Sequence, residues 1–365
     1  MKTFLAISIM LVMSAFTVLR AETFEDVKDS IVIIGTENGK RCGILAKMDG
    51  NLYVLTSQDA FTGNITSLKT LSGKILQPLL FEVPEEQNGL LRIKTDLPDA
   101  KAATINPGSR NGGLEIYYTD LKMGIINEKS IGVEKNNCIK LPDENKSPVS
   151  FMEEAVGSPA INKKDNKLVG AVGSRGFDVK NCNFVWMNVD KDLSGRKNEL
   201  QELKKDLKWV KADPAQLIKQ GALIDEAETF LFGFTSVADV WCSNPYTSIT
   251  IKVGQPERMK GWIDTQNLMV KEIPVMKMKI AGGNKTMGDT MKNVLMGQLR
   301  DQCKTLGKRL TDFAPVYQKT LASPNIKWES AYFKKKAEDL SSIFKNLAEG
   351  LRNQAENNAK VNPPL

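Results

Sequence analysis

Between Ser30 and Val189 apolar residues come in short runs, each cut off by turn residues before a helix could complete more than a turn or two. Ser30–Gly35 is a β-branched run, and Asp49-Gly50 is a hairpin signal between Cys42–Lys47 and Leu52–Thr56. Further strands are expected at Ser67–Leu71, Lys74–Val83, Leu90–Ile93, Leu114–Tyr118, Lys129–Glu134, Ser158–Asn162, Leu168–Val172 and Asn183–Val189. Ser72-Gly73 and Asp165-Asn166 mark turns between neighbours. Many short strands with frequent glycine and no helical period indicate an all-β barrel or sandwich.

After about Gly195 the period changes. Asp213-Pro214 reads as an N-cap followed by proline at the first helical position, opening a helix to about Phe232. Met291, Leu295, Leu299, Leu306, Leu310, Phe313 and Tyr317 recur at helical spacing, as do Ala337, Leu340, Phe344, Leu347 and Leu351, with Ser323-Pro324-Asn325 between them. These stripes predict a long antiparallel helix pair over about 287–358. The expected fold class is α+β and multidomain: a β domain over 22–194 and a mostly helical region over 195–365.

The 365 residues include no histidine. A chain without imidazole cannot run a Ser–His or Cys–His nucleophile or an HExxH zinc site. The formal charge is +7, with basic residues in excess after residue 195 and acidic ones in excess over 22–194. The basic residues are interspersed, Lys334-Lys335-Lys336 being the one tight cluster, which reads as a solvated helix face, so no nucleic-acid partner is expected.

Residues 1–21 read as a secretory signal: Lys2, the apolar run Phe4–Val18, and Leu19-Arg20-Ala21 ending on a small residue. No later run is long and apolar enough for a second span. The expected location is therefore secreted or periplasmic, without stable membrane insertion after cleavage. Export permits disulfides. The five cysteines leave at least one without an intramolecular partner, and the matching Asn-Cys contexts of Cys138 and Cys182 make them the first candidates for a bridge. No CxxC pair is present, so no metal and no cofactor is expected.

Four segments of the β half, in order, resemble the trypsin-like (chymotrypsin-fold) serine peptidases, in particular the secreted bacterial HtrA-type enzymes. The first is Gly39-Lys40-Arg41-Cys42-Gly43-Ile44-Leu45 followed by Leu55-Thr56-Ser57-Gln58-Asp59-Ala60. The second is Leu90-Leu91-Arg92-Ile93. The third is Gly112-Gly113-Leu114-Glu115-Ile116-Tyr117-Tyr118 with Lys129-Ser130-Ile131-Gly132-Val133. The fourth is Glu154-Ala155-Val156-Gly157-Ser158-Pro159 with Leu168-Val169-Gly170-Ala171-Val172-Gly173. The resemblance covers roughly Asp29–Asp190 and implies two six-stranded barrels with a site between them.

It also implies where a catalytic triad would stand. The histidine position is Asp59, the acid position is Gln87 (Glu86 after a one-residue slip), and the nucleophile position is Val156. Glu154 replaces a glycine of the oxyanion loop. The triad needs a hydroxyl nucleophile, an imidazole to take its proton and a carboxylate to orient that imidazole; none of the three is present. The resemblance therefore implies a pseudoprotease, acting by protein or peptide binding.

In the family an extended peptide adds to the strand after the nucleophile, here Ala171-Val172-Gly173-Ser174-Arg175, with Ser150 at the base of the specificity pocket. The alternative for this cleft is that it is vestigial, or filled by the C-terminal helices. Two rival functions stay open: an active secreted peptidase with an unrecognised nucleophile, and a structural protein that oligomerises through its C-terminal helices.

Overall fold

The computed structural model describes residues 27–96, 101–108, 113–120, 122–134, 137–140, 152–175, 178–179, 193–194, 197–242 and 312–358. The signal segment 1–21, the expected strand Asn183–Val189, Ser150, Cys182 and most of the first C-terminal helix stripe lie outside the described residues.

The described chain is mostly β, with a few helices, and falls into two compact units. The first holds both large sheets, the stretch Lys197–Ala222 and the segment Trp328–Phe333. Its first sheet is built from β1 (Ile31–Thr36), β2 (Gly39–Met48), β3 (Asn51–Ser57), β4 (Ile65–Thr70), β5 (Pro78–Pro84) and β6 (Leu90–Thr95), joined at one edge by β15 (Trp209–Lys211), in the order β15-β5-β6-β3-β2-β1-β4. The β2–β3 hairpin turns at Asp49 and Gly50, both at positive φ, as the Asp-Gly pair predicts. The expected strand Lys74–Val83 is shorter at its start. Ile75 only bridges Lys69, the Leu76 N–H bonds the Leu68 carbonyl, and pairing with β6 begins at Pro78. That bridge links β4 to the approach of β5, so the six strands β1–β6 close on themselves.

The second sheet comprises β7 (Leu114–Thr119), β8 (Ile126–Val133), β9 (Ile139–Lys140), β10 (Pro159–Asn162), β11 (Lys167–Arg175) and β14 (Lys197–Glu202), ordered β14-β11-β10-β7-β8-β9. A bridge between Cys138 and Glu199 joins its two ends, with the Leu200 N–H on the Asn137 carbonyl. This second ring thus draws its closing strand from beyond residue 194, in the stretch expected to be helical. Among the described residues one further strand pair, β12 (Asp178–Val179) with β13 (Leu193–Ser194), belongs to the second unit.

Alternation along the strands fills the rings. Ile31, Cys42, Ile44, Leu55, Leu90, Tyr117, Ile161, Leu168 and Ala171 form one buried cluster, and Leu114, Ile116, Ile131, Ala160, Val169, Val172 and Leu200 another. β15 is fixed to the first ring by Arg92, whose guanidinium lies 4.3 Å from the Tyr53 ring centroid and 4.6 Å from that of Trp209 while pairing with Glu82 and Asp49.

The helix Pro214–Cys242 starts where the sequence predicts, the Ala215 N–H bonding Asp213 Oδ1 at 2.9 Å, and runs ten residues past the expected end. In the second unit Phe230, Phe313, Tyr317 and Phe344 form a ring cluster, with Tyr317 stacked on Phe344 at 5.1 Å. Tyr317 also donates a 2.6 Å bond to Glu226. The second stripe is realised as the helix Ala331–Asn358, and no described helix is long and apolar enough to cross a membrane.

Candidate functional site

At the end of β3 the chain turns through one 3₁₀ turn, Gln58–Ala60, capped by Ser57, whose Oγ accepts the Asp59 N–H at 3.1 Å. Gln58 is wholly buried and ties this turn to the loop before β6. Its N–H bonds the Gly89 carbonyl, and its side-chain amide bonds the carbonyls of Asn88 and Leu90. Asp59 is left with its carboxylate buried, at 8% exposure.

One oxygen of that carboxylate, Oδ2, gathers several donors. Tyr332 Oη lies at 2.7 Å, the Ser174 N–H at 2.8 Å, Gln201 Nε2 at 3.2 Å and Ser57 Oγ at 3.4 Å. The two shortest are well-formed hydrogen bonds accepted by this oxygen, and the other two are longer contacts on it. Tyr332 Oη is also 3.1 Å from the Ser174 carbonyl and accepts from Gln201 Nε2 at 3.1 Å. A phenol has one proton, and the shorter distance to the carboxylate directs it to Asp59. Glycines make room for this arrangement. A Cβ on Gly173 would stand 1.9 Å from Gln201 Nε2, and one on Gly89 would stand 2.1 Å from the same atom and 2.8 Å from the Tyr332 ring.

The segment carrying Tyr332 has its own tethers. The Glu329 carboxylate accepts the Asp213 N–H at 2.9 Å, Gln220 Oε1 accepts the Glu329 N–H at 2.9 Å, and Ser330 Oγ accepts the Phe333 N–H at 3.0 Å. Ser330 is thus the N-cap of the Ala331–Asn358 helix, which places Tyr332 in its first turn.

The expected nucleophile position, Val156, is 3% exposed. It follows a 3₁₀ turn, Glu153–Ala155, and its N–H donates back to the Glu153 carbonyl at 3.1 Å. That N–H is therefore spent within the loop and is not offered as an oxyanion donor. The turn is pinned at its start: Asn198 exchanges two bonds with the Met152 backbone, and Arg41 pairs with Glu153 at 2.9 Å. Gly157, at φ +89°, sends its N–H to the Val172 carbonyl, and its own carbonyl accepts Thr56 Oγ1. Ser158 is fully buried at the foot of β10, its hydroxyl unpaired among the described residues.

Gln87 and Glu86 are exposed on the loop before β6, and the buried residue there is Asn88, which bonds the Glu202 carbonyl and the Leu90 N–H. Gln87 lines a cavity of about 170 Å³ together with Gly89, Asn137, Gln201, Lys204 and Tyr332.

The expected peptide edge is engaged on both sides. Ala171, Val172, Gly173, Ser174 and Arg175 pair with Gln201, Leu200, Glu199, Asn198 and Lys197 of β14. On the other side the backbone of Ser174 meets Asp59 and Tyr332. From the C-terminal region, Tyr332 meets this strand at the Ser174 carbonyl. The Cys138 side of the candidate disulfide is buried against β14. Gln201 and Tyr332 escaped the sequence reading; the Ser330 cap was the available local signal for the second.

No family profile and no curated protein matches the chain. It is similar to several solved protease structures. An inactive-form mutant of Rv3671c from M. tuberculosis aligns at 12% identity and TM-score 0.32, covering 49% of this chain and 84% of its own. Catalytically inactive tobacco etch virus protease complexed with substrate gives 12%, TM-score 0.32, and 52% and 89% coverage. The human pathogenic astrovirus serine protease gives 13%, TM-score 0.31, and 49% and 91%. These neighbours are chymotrypsin-like proteases; the two closed rings described above rest on this chain's own strand pairing.

Proposed function

We propose that this protein is an exported, catalytically silent member of the chymotrypsin-like fold that acts by binding protein. The observation that carries the reading is Asp59. At the position where the resemblance calls for a proton-accepting imidazole stands a buried carboxylate bonded to Tyr332 and to the Ser174 backbone. Val156 offers no nucleophile and its N–H is turned into the loop. Loss of nucleophile or base alone typically costs about a million-fold in turnover, and such losses do not multiply. Ser158 does not replace the missing hydroxyl: it is fully buried, and the chain has no imidazole to serve it.

The test is incubation of the mature chain with a mixed-sequence peptide library and mass-spectrometric search for new termini. No new termini is the expected result. A reproducible cleavage motif above the buffer control would sink the reading.

A further inference from the structure

Closure of the first ring is thin at one place. β4 pairs with β1 along its length, but toward β5 it is joined only through the bridge Lys69–Ile75. There the Thr70 N–H bonds the Lys74 carbonyl and the Leu76 N–H bonds the Leu68 carbonyl, both at 2.9 Å. Past that bridge the two chains part. The Gln77 N–H turns to Asp96, and Pro78, which has no N–H, pairs with Thr95 of β6. In the gap lies a groove of about 560 Å³, lined by residues 64–69, residues 75–78, Phe81 and the start of the helix Pro214–Cys242.

The groove fits an extended chain. Hydrogen-bonded and open pairs alternate along an antiparallel ladder. The Leu71 N–H bonds the Ile31 carbonyl, and the same register sets Ile33 against Lys69, so Leu68 turns its N–H and carbonyl away from β1. Leu76 takes the carbonyl; the N–H, on the side of the gap, has no partner among the described residues. Leu68, Leu76 and Phe81 make the buried part of the groove wall, while Ile75 on that wall and Leu79 beside it are 61% and 59% exposed.

Charge selects the occupant. Lys69 lines the groove and Lys74 stands across the turn from it; both are exposed, and neither has an ion-pair partner among the described residues. A second copy of the chain laid edge to edge on β4 would set lysine against lysine. Leu68 and Lys69 point to opposite faces of β4, one buried and one exposed, so a strand alternating apolar and acidic residues complements both.

The β11 edge used in the family is taken here by β14. We infer that protein binding uses the gap between β4 and β5 instead: it takes up an extended segment of a partner protein, alternately apolar and acidic, which adds as a strand to the β4 edge. The inference rests on the non-catalytic, protein-binding reading above and gives that reading a place. Apolar side chains of the segment pack on Leu76, Phe81 and Ile75, a backbone carbonyl accepts the Leu68 N–H, and the carboxylates meet Lys69 and Lys74.

The experiment is fluorescence anisotropy of a labelled eight-residue peptide of alternating valine and glutamate, titrated with full-length mature wild type, Ile75→Asp and Lys69→Glu/Lys74→Glu. Circular dichroism identifies which variants are folded, and the exposed lysine pair supplies a second variant if Ile75→Asp unfolds. Wild type should bind, and each folded variant should bind at least about tenfold more weakly, the order of loss for one aliphatic contact. A peptide with lysine in place of glutamate should also bind at least about tenfold more weakly. Hydrogen exchange of the segment 65–70 should slow when the glutamate peptide saturates wild type. No binding to wild type, equal binding by the folded variants or by the lysine peptide, or unchanged exchange over 65–70 overturns the docking site and leaves the non-catalytic reading standing. Mass spectrometry of the recovered peptide tests the other claim: cleavage overturns the non-catalytic reading instead.

Discussion

The hydroxyl of Tyr332 lies 2.7 Å from Oδ2 of Asp59, joining positions 273 residues apart in sequence. Around this contact a buried carboxylate is the acceptor that holds a segment distant in sequence within the first unit. Asp59 also receives the Ser174 N–H, so one carboxylate links the turn after β3, β11 and the start of the Ala331–Asn358 helix.

The Ser174 amide reports on this link directly. With Asp59→Ala its N–H loses a 2.8 Å acceptor, and its hydrogen exchange should speed up by about tenfold or more. Tyr332→Phe removes only the phenol's bonds and should give a smaller rise at the same amide. Exchange mass spectrometry on the peptide containing Ser174 reads both; unchanged protection in Asp59→Ala would mean the carboxylate does not hold the strand.

Glycine positions supply a steric test. Gly173→Ala and Gly89→Ala force a Cβ to within about 2 Å of Gln201 Nε2 and should each cost about 1–3 kcal/mol. Gly132→Ala, whose Cβ would meet nothing nearer than 3.7 Å, should stay within about 0.5 kcal/mol of wild type. Urea unfolding of the three variants makes the comparison. Equal effects at all three positions would show that the space around Gln201 is not needed.

Installing the triad that the resemblance calls for should fail. In Asp59→His/Gln87→Asp/Val156→Ser the three side chains are present, yet the N–H at 156 still bonds the Glu153 carbonyl and Glu154 still occupies the loop. Absence of one oxyanion donor alone typically costs about 100- to 1,000-fold. Hydrolysis of an activated ester by the triple variant should not exceed that of wild type by more than about tenfold; a larger gain would show that the loop rearranges once a serine is present.

Alkaline stability follows from buried acids. Burial pushes the Cys42 thiol far above its ordinary range; it pushes the Tyr117 phenol up as well, helped by Glu115. Both groups keep their protons in the native state after the unfolded chain has lost them. Their contribution is therefore fully present below the unfolded thiol range, about pH 8.5, and declines as pH rises toward the native values. Cys42→Ala should flatten the decline in stability between about pH 8.5 and 10, measured as the urea midpoint against pH. An unchanged slope would remove Cys42 as a source.

Much of the barrel was legible because its signals are local. Asp49-Gly50 demands a tight turn, the β-branched run becomes β1, and short apolar runs of the right length become β3 and β6. What local pattern could not show is long-range pairing. β14 reads as a charged, unremarkable stretch, and only its register against β11 and its bridge at Cys138 make it a barrel strand. Tyr332 is a single aromatic in the first turn of a helix, outside the apolar stripe that starts at Ala337. Its partners lie in the turn after β3, on β11 and at Gln201, none of them near it in sequence. Ile75 shows the opposite case: its β propensity suggested a strand from Lys74, but Pro78 marks where ladder pairing starts.

The central claim is that this barrel pair performs no hydrolysis. The most direct measurement is labelling of the full mature chain by a fluorophosphonate probe, run beside a casein digest. The account expects no specific labelling and intact casein. Specific labelling that disappears on mutating a single serine or threonine, together with casein cleavage, would contradict it.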